Sequence, residues 1–503
     1  MFRIFAVISV IQVITIVANI ARSKLIAVLM GPSGVGVISV VDQAISLVAH
    51  LAALNIAYIA LKFLSRAHSQ SKAAFAKTYS VFLLALLLPV SLITMVGLSV
   101  VWWLPGLLGS LMPYRSLLVP SLLSMPFIAL HGYFVSVLAT ARKPGAASLL
   151  SLLIGLSYAV TTYVGIAWGG LEGLYWLTLL ANVFVVLVVL VYFRLALGLS
   201  FDLGRQTPLA VLRESPDVLT FALILYASAV SDYVSLFVAR YAILTNFGEA
   251  QAGLLQAATG LSGVLTLVLS PIIGLFLTPH LSREMPTPDK LRATIQFQMI
   301  FMLIAGVLAM PLVLFPGWLL PLLLSSDFGA AAQVIFLFVV GTCLTLLASI
   351  YQSLLIGLDD LRVFGLIAVV SQLSFGVIGW LLAPSLGIAG IGIGLIGARL
   401  LFVAGMLLRL MRLHDFKFPR QSAALLGYVL LTLLVVGALF RVADSANFFL
   451  LGSKLVVYVM FSLSLLWWVS PQELPPFLQG LPGGRTLIFA YARFKRMSPR
   501  QPD

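Results

Sequence analysis

The chain is predicted to be an all-α polytopic membrane protein with about 14 transmembrane helices, and three observations predict it. Hydrophobic residues fill 61% of its 503 positions and charged residues only 9%, where soluble domains carry roughly 25% charged. Mean hydropathy is +1.12. Apolar runs of about 20 residues, enough to cross a hydrocarbon core, recur from end to end; the only connections of real size are 194–217 and the tail from Ser470 onward. So much apolar surface excludes a soluble enzyme or a large soluble domain.

Breaking the runs at charge, proline and glycine gives spans 4–29, 35–61, 78–103, 117–139, 147–168, 171–193, 218–242, 252–279, 293–321, 330–356, 363–384, 387–408, 422–440 and 448–469. The first span follows Arg3, carries Arg22 and Lys24 and lacks a small-residue cleavage site. It is expected to be retained as a helix rather than removed as a signal peptide. Gly31-Pro32-Ser33-Gly34-Val35-Gly36 turns the chain into the second span; it lacks the Lys-Ser/Thr of a phosphate-binding loop. Pro89, Pro271, Pro279 and Pro311 fall inside spans and are expected to bend them.

The net charge of +14 reads mainly as topology. Every second connection is basic: Lys62, Arg66, Lys72 and Lys77; Arg142 and Lys143; Arg194, Arg205 and Arg213; Arg283, Lys290 and Arg292; Arg362; Arg409, Arg412, Lys417 and Arg420; then the tail. The alternate connections hold little beyond Arg115, Arg441 and Lys454. Basic loops stay cytoplasmic, so both termini are expected there. The single cysteine, Cys343, leaves no intrachain disulfide or thiolate metal site. Arg485 to Arg496 mixes aromatics with cations, as a short helix on the anionic leaflet would; nucleic acid is not an expected partner.

The chain also repeats itself. Ala21-Arg22 with Gly31 and Gly36 returns as Ala239-Arg240 with Gly248 and Gly253; Gly170-Leu171-Glu172-Gly173 returns as Gly387-Ile388-Ala389-Gly390; Arg142-x-x-Gly145 returns as Arg362-x-x-Gly365. The glycines of the first two matches recur at one constant offset, that from Gly31 to Gly248, and the arginine-glycine match recurs at a slightly longer one. The reading is an N-lobe over 1–216 with spans 1–6, a C-lobe over 217–420 with spans 7–12, an extra helix pair over 421–470, and a basic cytoplasmic tail over 471–503. Six spans per repeat make the lobes parallel, around a central cavity.

Ionisable residues inside spans are the informative minority, since each costs about 2.5–3.5 kcal/mol at mid-helix. They are Arg22, Lys24, Asp42, His50, Asp232, Arg240 and Arg399. At ~1.5 Å per residue, Arg22 and Asp42 lie about 10 Å below the outer ends of their helices and Arg399 about 18 Å. Snorkelling to the headgroups is the plain reading of Arg22, Lys24 and Arg240. The repeat of Arg22 as Arg240 supports the functional one, in which two guanidiniums on opposing cavity walls match phosphate oxygens. Asp42 and Asp232 either neutralise these cations or take up H+ or Na+ during a cycle. His50 and His131 have no carboxylates at metal-ligand spacing, and no metal or other cofactor is expected. Gly392-Ile393-Gly394-Leu395-Ile396-Gly397 fits a dinucleotide fingerprint but lies within an apolar helix, where small residues serve close packing.

Arg22-Ser23-Lys24-Leu25-Ile26-Ala27-Val28-Leu29-Met30-Gly31-Pro32-Ser33-Gly34-Val35-Gly36 resembles the opening of bacterial Wzx-type O-antigen and polysaccharide flippases, and Gly274 to Arg283 resembles their helix 8 exit. The resemblance implies the multidrug/oligosaccharidyl-lipid/polysaccharide exporter (MOP) fold. It also implies flipping of a polyprenyl-diphosphate-linked oligosaccharide to the outer leaflet by ion-coupled alternating access, alongside glycan polymerase and assembly proteins. Residues implied to hold the diphosphate and glycan are Arg22, Lys24, Arg240 and Arg399. The alternatives are a drug/cation antiporter of the same superfamily, expected to favour acidic cavity residues; a membrane glycan polymerase, for which the outer loops are too short and too poor in charge; and a non-transporting assembly partner.

Overall fold

The computed structural model describes residues 2–141, 143–199, 216–358, 360–414, 416, 418–440 and 448–468. The tail segment 485–496 and cations such as Arg142, Arg205, Arg213, Lys417 and Arg441 lie outside them.

Every described element is helical. In chain order they are α1 (Phe2–Ala53), α2 (Ile56–Gln70), α3 (Lys72–Trp103), α4 (Arg115–Thr140), α5 (Pro144–Tyr192), α6 (Pro216–Phe247), α7 (Glu249–Ile272), α8 (Thr287–Leu314), α9 (Pro316–Leu323), α10 (Ile335–Gly357), α11 (Leu361–Leu386), α12 (Ile388–His414), α13 (Arg420–Phe440) and α14 (Phe448–Trp467). Among the described residues eleven helices are long and apolar enough to cross a membrane, which makes this a multi-pass inner-membrane protein. Two of the eleven are double. The 49 residues of α5 reach about 73 Å at 1.5 Å each, more than twice a hydrocarbon core, and the helix breaks at Gly169 and Gly170. Likewise α1 breaks at Gly31, whose φ of 63° precedes Pro32. With the shorter apolar stretch Leu450–Leu465, the helices are consistent with fourteen spans.

Local chemistry sets the remaining ends. Asn55, left-handed at φ 54°, separates α1 from α2. The Ser71 hydroxyl accepts from the Ala74 amide at 3.0 Å and caps α3. Pro144 opens α5, where its missing N–H costs nothing. One expectation needs correction here. Residues 62–70 are not a plain connection: they continue α2, which buries Ile56, Ile59, Ala60, Leu64 and Ala67 and exposes Ser65, Arg66 and His68, a helical stripe on an element too short to span. Pro279 lies in the turn Thr278–Leu281, which continues α7 without a break through a π-helical turn. Pro89 and Pro311 do lie inside helices, and Pro271 lies just before a π-helical turn over Ile273–Leu277.

The repeat is visible in the backbone. Gly31 and Gly248 both have positive φ, as do Gly170 and Gly387, and the two pairs share one offset. Ala141 and Lys143 donate to the Val137 and Leu138 carbonyls, and Leu358 and Asp360 to those of Leu354 and Leu355, again at that offset. This turn therefore aligns Lys143 with Asp360; the longer-spaced match of Arg142 with Arg362 is out of its register. Leu104 and Phe315 end their helices in similar backbone conformations, each before a Pro-Gly pair.

Two compact units emerge. The first comprises 1–256, 321–328 and 372–388; its core includes an aromatic group of Tyr79, Tyr133, Phe134 and Phe193, with the Tyr133 hydroxyl donating to the Tyr79 carbonyl at 2.6 Å. The second comprises 257–320, 329–371 and 389–503; there the buried Tyr351 hydroxyl donates to Gln298 and Thr278 bonds Ser353.

Candidate functional site

The first unit gathers polar side chains from α1, α5 and α6. Asp42, on the second half of α1, accepts a hydrogen bond from the Tyr175 hydroxyl at 2.8 Å and lies within electrostatic reach of both Arg22 and Arg240. Arg22 donates through Nε to the Thr162 hydroxyl at 3.1 Å, and its guanidinium lies 5.5 Å from the Tyr158 ring centroid. Tyr158 in turn donates to Asn182 at 2.7 Å. Arg240 donates through Nη1 to the Ser39 carbonyl at 2.8 Å and through Nη2 to the Gln256 side chain at 2.7 Å.

Two guanidiniums thus lie within electrostatic reach of one carboxylate, a formal charge of +1 for the three. Burial of such groups is tolerable because each is hydrogen-bonded. Thr162 and Asn182 are fully buried, and Gln43 and Ser39 nearly so. Ser39 and Gln256 are themselves separated by the repeat offset, so Arg240 bridges equivalent positions of the two repeats. Arg22, one residue out of that register with Arg240, instead points its hydrogen bond at α5, so the two arginines lie within reach of Asp42 but have different acceptors.

Lys24 donates to the Leu322 carbonyl at 2.7 Å, near the C-terminal end of α9, where helix carbonyls attract cations. Asp232 is half-buried on α6, about two helical turns before Arg240; the neighbouring Tyr233 stacks on His50 at 3.7 Å. Arg399 is half-buried on α12, in the second unit. Among the described residues no group of three His, Cys, Asp or Glu side chains is placed to hold a metal.

Sequence reasoning missed Tyr158, Thr162, Tyr175 and Asn182. A signal was there: Tyr158 and Thr162 are four apart and Tyr175 and Asn182 seven apart, the spacings of one helix face in otherwise apolar spans.

No protein-family model matches the chain, and no curated protein matches it. Solved structures do. The lipid II flippase MurJ, in an inward closed conformation, aligns with a TM-score of 0.62 at 16% identity over 91% of this chain and 97% of that one. An inward-facing multidrug resistance MATE family transporter of the MOP superfamily aligns at 0.59 and 16% over 81% and 95%. A MOP superfamily transporter from Pyrococcus furiosus, described as having a binding pocket of reverse polarity, aligns at 0.51 and 16% over 83% and 96%. At this identity the likeness is one of fold: the chain has the fold of MOP-superfamily transporters. It does not single out the Wzx-type flippases within them.

Proposed function

We propose that this protein is a secondary transporter that works by alternating access, moving a polyprenyl-diphosphate-linked oligosaccharide from the cytoplasmic to the outer leaflet for surface glycan synthesis. The observation that supports the cargo class is the cluster in which Asp42 lies within electrostatic reach of both Arg22 and Arg240. Guanidiniums in excess over carboxylates suit an anionic diphosphate, since their planar donors match phosphate oxygens. In this reading Arg22 and Arg240 meet the diphosphate directly, Lys24 and Arg399 extend the basic lining, and the prenyl tail stays in lipid. The repeats over 1–216 and 217–420 are the halves that move, the pair over 421–470 is appended, and 471–503 forms a cytoplasmic tail.

Asp42 and Asp232 are the residues proposed to couple the cycle to H+ or Na+. Asp42 has the means, because an ion or proton taken up by its carboxylate weakens its hold on both guanidiniums. Glycan polymerase and assembly proteins are the partners this reading calls for.

A second reading, a drug/cation antiporter, has a specific observation in its favour: several of the structurally similar chains are MATE proteins, two of them described as multidrug resistance transporters. By fold comparison alone it is the better supported of the two. The charge of the cluster points the other way, because a cationic drug gains nothing from a net positive wall.

One experiment separates them. A deletion in the native host is complemented with wild type or with the R22A/R240A variant at matched protein levels, and both surface glycan and drug susceptibility are measured. Loss of glycan in the deletion and the variant, with unchanged susceptibility, is the outcome of the flippase reading. Unchanged glycan with increased susceptibility establishes the antiporter instead.

A further inference from the structure

A cation more deeply buried than those of the cluster lies far along the chain from it. Lys454 is on α14, and only 4% of its surface is exposed. It lines a narrow cleft, opening to the surface, whose other walls are Phe315, Trp318, Leu450 and Leu451. Its ammonium lies 5.9 Å from the Phe440 ring centroid. All these residues belong to the second compact unit.

Three features need a common cause. First, a lysine that merely snorkels stretches its ammonium into water, but this one is covered. Second, among the described residues its partner is an aromatic face and not a carboxylate, and a cation–π contact alone does not offset the desolvation of an ammonium. Third, every other wall of the cleft is apolar. A cation at the back of an apolar cleft, on a protein whose solvent is lipid, complements an amphiphile with a negative head.

Depth identifies the leaflet. With both termini cytoplasmic, as the cation pattern has it, α14 begins on the outer side, and Lys454 lies about 9 Å along the helix from Phe448 at 1.5 Å per residue. Trp318, on the short helix α9, faces the same cleft, and tryptophan favours the headgroup level of a membrane. We propose that the Lys454 cleft binds an anionic phospholipid of the outer leaflet, the phosphate meeting the Lys454 ammonium and an acyl chain lying along Leu450, Leu451 and Phe315. The site is independent of what the protein transports.

The test uses the full-length protein in nanodiscs of phosphatidylcholine with or without phosphatidylglycerol, and counts lipids retained after gentle release by native mass spectrometry. Wild type is expected to retain phosphatidylglycerol over phosphatidylcholine by about fivefold, the contribution of one lysine near an anionic surface. Lys454→Met, which keeps the apolar stem, should lose that preference, and Lys454→Arg should keep it. Equal retention of the two lipids by wild type overturns the proposal without any variant having to fold. So does a preference that survives in K454M, or one shown only for added polyprenyl phosphate.

Discussion

Gly36 and Gly253, equivalent positions of the two repeats, pack reciprocally: a Cβ on Gly36 would run into the Glu249 carbonyl, and a Cβ on Gly253 into that of Pro32. Pro32 and Glu249 are equivalent positions as well. A contact in which i meets j′ and j meets i′ is the mark of a two-fold relation, here between two stretches of one chain. Arg240 closes the same contact from the side by bonding Ser39 and Gln256. If the halves move against each other, these bonds are the ones that opening must break.

Filling that contact is therefore expected to hold it apart. With the sole cysteine replaced in Cys343→Ser, a cysteine placed at Ser39 should react faster with a membrane-impermeant maleimide when Gly36→Val or Gly253→Val is added. The increase should be about tenfold if the substitution shifts the closed contact by 1.4 kcal/mol. Unchanged labelling in both variants would show that the contact does not gate access.

Asp42 is expected to hold the cluster together electrostatically, with Tyr175 holding Asp42. Asp42→Ala should lower the stability of the purified protein by about 1–3 kcal/mol, the cost of leaving charged groups without their partner, and Tyr175→Phe by about 1 kcal/mol. Adding Arg22→Ala to Asp42→Ala should recover part of the loss, because contacting residues in one network do not act additively. Thermal unfolding in detergent checks all three, and strict additivity would dissolve the network.

The hairpins built on left-handed glycines make a separate prediction. A Cβ on Gly170 meets nothing within 4 Å, and one on Gly387 meets only the tip of Phe247 at 3.9 Å. Alanine at either should thus cost only the conformational term, about 1–2 kcal/mol. Gly260 and Gly263, on α7 with open space around them, are controls, where alanine should stabilise by up to about 1 kcal/mol.

Much of this was legible in the sequence because lipid imposes one-dimensional rules. Backbone groups must be satisfied within helices, so long apolar runs gave the spans, and the repeated glycines marked positions where the chain needs positive φ. The amphipathic α2 escaped because six of its 15 residues are polar, all from Lys62 onward, and a search for apolar runs passes over it. The cluster was half legible. Arg22, Asp42 and Arg240 stand out as charges in apolar helices, whereas their neutral partners carry no such cost and do not. Nor could spacing show that Arg240 reaches the backbone of Ser39 while Lys24 turns to Leu322, since both depend on contacts between distant segments.

Charge alone should not satisfy the site. Arg240 uses two nitrogens on two acceptors, and an ammonium cannot reproduce that fork. Arg240→Lys is expected to reduce transport by about tenfold, equivalent to one hydrogen bond to a charged group at roughly 1.4 kcal/mol, while protein levels stay constant. A fully active R240K variant would mean that only the charge matters.

The claim that the arginine pair carries an anionic lipid-linked cargo is tested most directly by reconstituting the protein into liposomes containing a fluorescent polyprenyl-diphosphate oligosaccharide. Its arrival in the opposite leaflet is followed with a membrane-impermeant quencher, for wild type and R22A/R240A. The account predicts translocation by wild type under an imposed H+ or Na+ gradient and loss of it in the double variant. Translocation at the same rate by both proteins would contradict it.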